Sequence, residues 1–286
     1  MKQLTVISGK GGTGKTSITA ALAVLAREAV IADCDVDAAD LHLILEPEIT
    51  KSGDFMGGQV ALIDESRCTR CGLCETLCRF HAIQEYAVEP ISCEGCGFCA
   101  HACPEDAIAM KRKISGTWFV SKTRAGTMVH AHLGAAEENS GKLVTLVRQL
   151  AVKAAEAEGR AVIIADGPPG IGCPVVASVT GANLVLAVTE PTLSGIHDLE
   201  RVVEITGHFR ISVVVCINKC DINSENASLI ETFCREKGLP VVGRIQYSPD
   251  VTMAMIARKS VVEHDCGDVT AEVRRMWEKI RKILEI

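Results

Sequence analysis

Residues 9–16 read Gly-Lys-Gly-Gly-Thr-Gly-Lys-Thr, which is the pattern G-x-x-x-x-G-K-[ST]. They lie between a short apolar run, QLTVIS (3–8), and an alanine-rich stretch of helical composition, about Lys15 to Ala26. Few sequence features restrict a fold as tightly. The loop's backbone N–H groups must close around phosphate oxygens, and the following helix must present its positive N-terminal end to them. A buried strand therefore has to end at the loop and a helix has to start from it. Gly9, Lys10, Gly11, Gly12, Thr13, Gly14, Lys15, Thr16 and Ser17 form the candidate cradle for ATP or ADP. Lys15 is expected to neutralise the β- and γ-phosphates and Thr16 to ligate Mg²⁺.

The rest of the chain reads the same way. AVIADCD (29–35), AVIIAD (161–166), ANLVLAVTE (182–190), ISVVVCIN (211–218) and LPVVGRI (239–245) are continuous apolar runs separated by helical stretches. Such runs predict an α/β fold, a mostly parallel sheet flanked by helices. GKLVTLVRQLAVKAAEAEG (141–159) is the clearest helix, closed by Gly159, and GTWFVSKTRAGTMVHAHL (116–133) is expected to be a hairpin re-entering the sheet. A length of 286 residues allows one large or two modest domains. Acids outnumber bases 36 to 30, so no electrostatic argument favours nucleic acid as a partner. No apolar run is long enough to span a bilayer, and the N-terminus reads as a strand, which together predict a cytoplasmic protein.

Lys10 makes the phosphate loop more particular. KGGTGKT resembles the deviant Walker A sequence of the MinD/ParA superfamily (SIMIBI class) of P-loop ATPases, whose relatives include Mrp-type carriers and the nitrogenase iron protein. That resemblance implies that Lys10 reaches a partner's nucleotide in an ATP-dependent homodimer, or in a heterodimer with a close homologue. Asp33-Cys34-Asp35 resembles the family's switch I, with Asp35 as the carboxylate that orients or activates water. Asp166, expected to end its strand, opens DGPPGIG and resembles the Walker B aspartate that holds the Mg²⁺ hydration shell. Asn218, followed by Lys219, resembles the base-contacting asparagine and favours adenine. TEPTLSGIHDLERV (189–202) and IQYSPDVTMAMIARKSVVEHD (245–265) also match family segments, but Ala257-Arg258-Lys259 stands where a glycine turn is expected. The resemblance covers about 1–58 and 114–286. It implies a slow, partner-stimulated ATPase.

Fourteen cysteines raise a separate question, because eight fall between Cys68 and Cys103. CTRCGLCETLCRFHAI (68–83) and CEGCGFCAHACPEDAI (93–108) share the spacing C-x-x-C-x-x-C-x-x-x-C. In a reducing compartment that spacing points to metal ligation, and it matches bacterial two-cluster ferredoxins, in which the fourth cysteine of each run ligates the other run's cluster. Cys68, Cys71, Cys74 and Cys103 are then expected to hold one 4Fe–4S cluster, and Cys93, Cys96, Cys99 and Cys78 the second. Zinc motifs instead offer isolated C-x-x-C pairs farther apart. Pro104 follows Cys103 as the pattern expects, but Arg79 follows Cys78, which predicts an altered local turn. Residues 59–113 thus read as an inserted ferredoxin-like domain between two parts of a P-loop ATPase domain, 1–58 and 114–286.

Other chemistry-bearing residues are read more plainly. Cys34, Cys216, Cys220, Cys234 and Cys266 are expected to be buried thiols, while Cys173 directly follows DGPPGIG. His130 and His132 are expected to be half-exposed strand residues. Val273, Met276, Trp277, Ile280, Ile283 and Leu284 make one helical stripe, which suits packing on the sheet better than a membrane. Two functions fit the whole: an ATP-gated redox switch acting on an electron-transfer partner, or an assembly ATPase for a metalloprotein with the ferredoxin part as sensor or docking module. The partner expected is a redox or metallocofactor-related protein.

Overall fold

The computed structural model describes every residue except 135, 136 and 138. The chain runs β1 (Lys2–Ser8), α1 (Lys15–Ala26), β2 (Val30–Asp33), α2 (Leu41–Leu45), β3 (Glu48–Phe55) and β4 (Gly58–Ile63). Next come α3 (Leu73–Leu77), β5 (Ile83–Gln84), β6 (Ala87–Val88), α4 (Phe98–Ala102) and β7 (Ile108–Lys113). β8 (Gly116–Thr123), β9 (Gly126–Leu133), α5 (Ser140–Glu158), β10 (Val162–Pro169), α6 (Cys173–Val179) and β11 (Leu184–Thr189) follow. The last third is α7 (Leu193–His208), β12 (Ser212–Asn218), α8 (Ser224–Glu236), β13 (Val241–Ile245), α9 (Asp250–Ile256), α10 (Val261–His264) and α11 (Asp268–Leu284). No helix among the described residues is long and apolar enough to cross a membrane.

Two compact units divide these elements: residues 1–52, 118–131 and 140–286 form the first, and 53–117 with 132–139 the second. A nine-stranded sheet in the order β13-β12-β11-β1-β10-β2-β9-β8-β3 organises the first unit. All pairings from β13 across to β9 are parallel. Val/Ile/Leu-rich strands buried on both faces need that arrangement, since helices cover each side. One face packs Leu4, Leu22, Ile164, Leu186 and the C-terminal helix; the other packs Val175, Leu199, Val215 and Ile230. The α11 stripe is part of this core, with Val273, Met276, Trp277, Ile280 and Leu284 buried, whereas Ile283 is exposed. Because the strands are parallel, their carboxyl ends share one edge, and the polar residues that close them gather there.

The sequence expectation for Asp166 needs one correction. Its strand continues through Pro169, so Asp166 lies inside β10, paired with Val6 and Asp33 on its two neighbours. The irregularity between Val6 and Ser8 in the β1 pairing lets the strand carry glycine and prolines to its end.

The second unit holds both cysteine runs. β4 and β7 form an antiparallel ladder from Gly58↔Lys113 to Ile63↔Ile108, and β5 and β6 form a two-residue hairpin. The short helices α3 and α4 each begin directly after a glycine within a cysteine run, at Gly72 and Gly97.

Candidate functional site

The phosphate loop leaves β1 and enters α1 through Gly14, whose backbone is left-handed at φ 86°. A side chain there would be strained, and its Cβ would collide with Asn218 Nδ2. Asn218 instead donates to Thr13 O at 2.7 Å, and Lys219 Nζ donates to Gly12 O at 3.0 Å. The end of β12 therefore braces the loop from outside. Thr13 is buried with its Oγ1 unpartnered, Thr16 is half-buried, and Gly11 and Gly12 are exposed.

Lys15 is buried and reaches two carboxylates, Asp166 Oδ1 at 3.2 Å and Asp35 Oδ2 at 3.4 Å. Burial works against its charge, yet Asp166 and Asp35 together hold the ammonium above its usual range. Asp35 is pushed up by burial and drawn back by Lys15, so its carboxyl sits above the ordinary range. That direction suits a group that must take a proton from water. Asp33 is fully buried and pushed well above the carboxylate range by burial and by Asp166 beside it in register. Asp33 Oδ2 and Asp166 Oδ2 are both buried without a partner.

Lys10 folds back onto its own chain. Its ammonium pairs with Glu190 Oε1 at 2.6 Å and donates to Thr192 Oγ1 at 3.3 Å. Lys219 pairs with the other oxygen of Glu190 at 3.1 Å, and the two lysines hold that carboxyl below its usual range despite partial burial. Beside the loop, Ser17, Asn218, Gln246, Tyr247, Val251 and Met255 line a cavity of about 250 Å³. Apolar walls with a few polar groups suit a nucleobase. The expected glycine turn after α9 is made by Arg258, left-handed at φ 54° and tied to Glu46 Oε1 at 3.0 Å.

Four participants escaped the sequence reading. Thr19 Oγ1 lies 2.9 Å from Asp166 Oδ1, and its signal was the four-residue helical spacing from Lys15. Asp33 was visible only as the first acid of Asp33-Cys34-Asp35. Glu190 and Lys219 each follow a β-strand at the shared carboxyl edge, a position that strand order alone could have flagged.

In the second unit the cysteines collect in two groups. Cys68, Cys71, Cys74 and Cys103 line one cavity of about 20 Å³. Cys78, Cys93, Cys96 and Cys99 line another of about 340 Å³. Each group draws three cysteines from one run and the fourth from the other. Among the described residues, no three His, Cys, Asp or Glu side chains are arranged to hold a single metal ion. The expected distortion at Arg79 is absent. His81 N donates to Cys78 O at 3.2 Å and Ala82 N to Cys78 Sγ at 3.4 Å, which sets the turn without a proline ring.

Cys34, Cys216, Cys220, Cys234 and Cys266 are buried as expected, and Cys173 is exposed at the start of α6. His130 is buried rather than half-exposed, 3.0 Å from Ser121 Oγ and stacked on Phe119, because its face of β9 turns inward. His132 is exposed.

Known proteins share this architecture. The family model described as the CobQ/CobB/MinD/ParA nucleotide binding domain matches residues 4–261. An uncharacterized protein of Methanocaldococcus jannaschii is 31% identical over 286 residues, 99% of this chain and 97% of its own length. An uncharacterized ATP-binding protein of the same organism is 23% identical over 262 residues, 88% of this chain and 76% of its own. Among solved structures, the septum site-determining protein MinD of Pyrococcus horikoshii, complexed with Mg-ADP, is similar with a TM-score of 0.62. That likeness covers 99% of this chain and 96% of the other at 17% identity, and it is one of fold.

Proposed function

Because this chain belongs to the CobQ/CobB/MinD/ParA family of nucleotide-binding domains, and is an ATP-binding ATPase of the MinD/ParA type, we propose that it uses ATP to gate electron transfer through two 4Fe–4S clusters. The observation that carries the redox half is the crossed grouping of cysteines, three from one run with one from the other in each cavity. A zinc ion needs its thiolates to converge on one point, and among the described residues no three His, Cys, Asp or Glu side chains do so. Crossed sets of four instead match the exchange of fourth ligands in two-cluster ferredoxins. Thiolate donors fit iron–sulfur clusters, and the N–H of Ala82 and of Ala107 point at the sulfurs of Cys78 and Cys103. When bound, such a cluster supplies reversible one-electron transfer.

ATP hydrolysis follows from the residues at the carboxyl edge. The loop amides of residues 9–14 and Lys15 cradle the phosphates, which requires Lys15 to exchange Asp35 and Asp166 for phosphate oxygens. Thr16 and Asp166 would hold Mg²⁺, and the unpartnered Asp166 Oδ2 fits that role. The ion supplies neutralisation of the charge on the β- and γ-phosphates. Asp35, freed from Lys15, orients the attacking water. The water's oxygen bonds to the γ-phosphorus as its proton passes to Asp35, the bond to the β,γ-bridging oxygen breaks, and ADP and phosphate leave. Lys10 serves a second copy of the chain only after release from Glu190, so pairing of two chains is coupled to breaking a cis ion pair.

The deciding experiment follows electron flow from anaerobically reduced protein to a small acceptor, with ATP, with ADP and without nucleotide. Faster transfer with ATP supports the gating reading. Equal rates in a fully iron-loaded protein would remove it in favour of an assembly ATPase with a docking or sensing module.

A further inference from the structure

The helix α9 ends in a turn that ordinarily belongs to glycine. The N–H of Lys259 donates to Ala254 O and that of Arg258 to Met255 O, both at 2.9 Å. These are the two bonds of a Schellman cap, whose closing residue is left-handed and most often glycine. Here that residue is Arg258, at φ 54°. A side chain in that conformation crowds its own backbone, so the turn needs support from elsewhere. The ion pair of Arg258 with Glu46 gives little, because both side chains are exposed.

Support comes from Arg124, in the turn between β8 and β9. Its Nε donates to Glu263 Oε1 at 2.6 Å. Its Nη2 hydrogens are shared among Glu263 Oε2 at 3.0 Å, Arg258 O at 3.0 Å and Ile44 O at 2.7 Å. One guanidinium thus holds the carbonyl of the left-handed residue, the first turn of α10 and the end of α2. Glu263 in turn accepts from Ser260 N at 2.9 Å and Ser260 Oγ at 2.7 Å, which caps α10. Burial works against the Glu263 charge, yet Arg124 and Ser260 hold its carboxyl down to about 2. Arg124 is itself presented from an anchored turn. Ala125 beside it is buried, and Thr123 Oγ1 donates to Gly126 O at 2.7 Å while accepting from Ala125 N at 3.1 Å. A planar fork with several fixed donors suits that task, and a lysine ammonium cannot span it.

What the clamp holds in place is one wall of the nucleotide site. Val251, Thr252 and Met255 of α9 and Val261 of α10 line the cavity beside the phosphate loop. Met255 also reaches α1, its sulfur 3.5 Å from Ser17 Oγ. Resting on the reading of that cavity as the nucleobase site, we infer that Arg124 is a positioning residue for the base. It fixes the left-handed turn at Arg258, and with it the placement of α9 against α10. The phosphates are held elsewhere, by the loop and Lys15, so the effect of Arg124 is confined to the base. Without the clamp the competent wall is populated only part of the time, and apparent affinity falls by that fraction.

The test is calorimetric titration of the full chain with Mg-ADP and, separately, with Mg-pyrophosphate, which offers the phosphates without the base. Arg124→Gln should weaken ADP about three- to tenfold and leave pyrophosphate unchanged. Arg124→Lys, which keeps the charge without the fork, should weaken ADP in the same direction. Arg258→Gly alone should bind ADP as the unaltered chain does. Added to Arg124→Gln, it should restore most of the lost affinity, because glycine takes the left-handed turn unaided. Unchanged ADP affinity in either Arg124 variant, or an equal loss of pyrophosphate, would overturn the inference. So would a loss of ADP in Arg258→Gly alone, or no recovery in the double variant. An unaltered chain that binds ADP no tighter than pyrophosphate defeats the base-cavity reading itself, which keeps the two failures apart.

Discussion

At the scale of single residues, the nucleotide site of the first unit is a set of buried charges held in balance by one lysine. Lys15 is the cation that pairs with both Asp35 and Asp166, and Asp33 adds a third carboxyl on the neighbouring strand. Asp33 gives a prediction with a definite sign. Its folded-state pKa is raised, so between the unfolded value of about 3.9 and the folded one the unfolded chain loses a proton that the folded chain keeps. Stability contributed by this group is thus present at low pH and lost as pH rises. Asp33→Asn removes the titration while keeping an oxygen for the N–H of Asp35. Nucleotide-free Asp33→Asn should gain roughly 1–3 kcal/mol near neutral pH, with a gap in Tm that closes toward about pH 4. A gap independent of pH in thermal melts would contradict this. Lys15→Ala should abolish nucleotide binding by calorimetry, because the phosphates lose their counter-charge and Asp35 and Asp166 lose theirs. Lys10→Ala should keep nucleotide but lose ATP-dependent self-association and most hydrolysis, and sedimentation with and without ATP checks it. Lys15 was legible from the spacing of the loop, and Lys10 from the family resemblance of KGGTGKT. Glu190, Lys219 and Thr19 were not, because their part depends on strand order and helix register that no local motif records.

At the scale of elements, what the sequence concealed was set by backbone hydrogen bonding. A proline missing after Cys78 predicted an altered turn, and Ala257-Arg258-Lys259 stood where a glycine turn was expected, yet both turns form. The first is fixed by the amides of His81 and Ala82, and the second takes a left-handed arginine whose side chain pairs with Glu46. Turn chemistry lowers the cost of a conformation without being the sole source of it. Conversely, Asp166 looked like a strand terminus because glycine and prolines follow, but β10 carries them while β1 absorbs the irregularity. Periodicity served α11 well: the buried stripe was readable except for Ile283, at the margin of the contact. The two short helices of the cysteine unit carry a prediction of their own. Each ends on the cysteine that lines the opposite run's cavity, so Cys78→Ser should alter the EPR signal of the site formed by Cys93, Cys96 and Cys99. The site of Cys68, Cys71, Cys74 and Cys103 should keep its signal. Loss of that second signal in place of the first would reverse the assignment of ligands.

At the scale of the whole molecule, the chain crosses between its units at residues 52–53, 117–118, 131–132 and 139–140. The crossing at 131 lies in β9, and within the first unit β9 is hydrogen-bonded to β2, whose end carries Asp33 and leads to Asp35. The crossing at 139 opens α5, which leads to β10 and Asp166. The covalent path from the cysteine unit therefore enters the first unit at β9, which neighbours β2, and at α5, which precedes β10, one element away from each reacting carboxylate. If ATP biases those elements between two arrangements, and reduction of a cluster does so as well, the difference is a coupling free energy that linkage makes reciprocal. Couplings of about 1–3 kcal/mol are typical, and they would change ATP affinity roughly five- to a hundredfold between oxidised and reduced protein. Expressed for one electron, the same coupling is a shift on the order of 40–130 mV in cluster potential on saturation with ATP. We expect both effects, equal in size, in redox titrations run without nucleotide, with ADP and with a non-hydrolysed ATP analogue, beside ATP binding to each redox state. Superimposable titrations with equal affinities would mean that the covalent path insulates the two units. ATP gating of electron transfer would then have no thermodynamic basis in this chain alone.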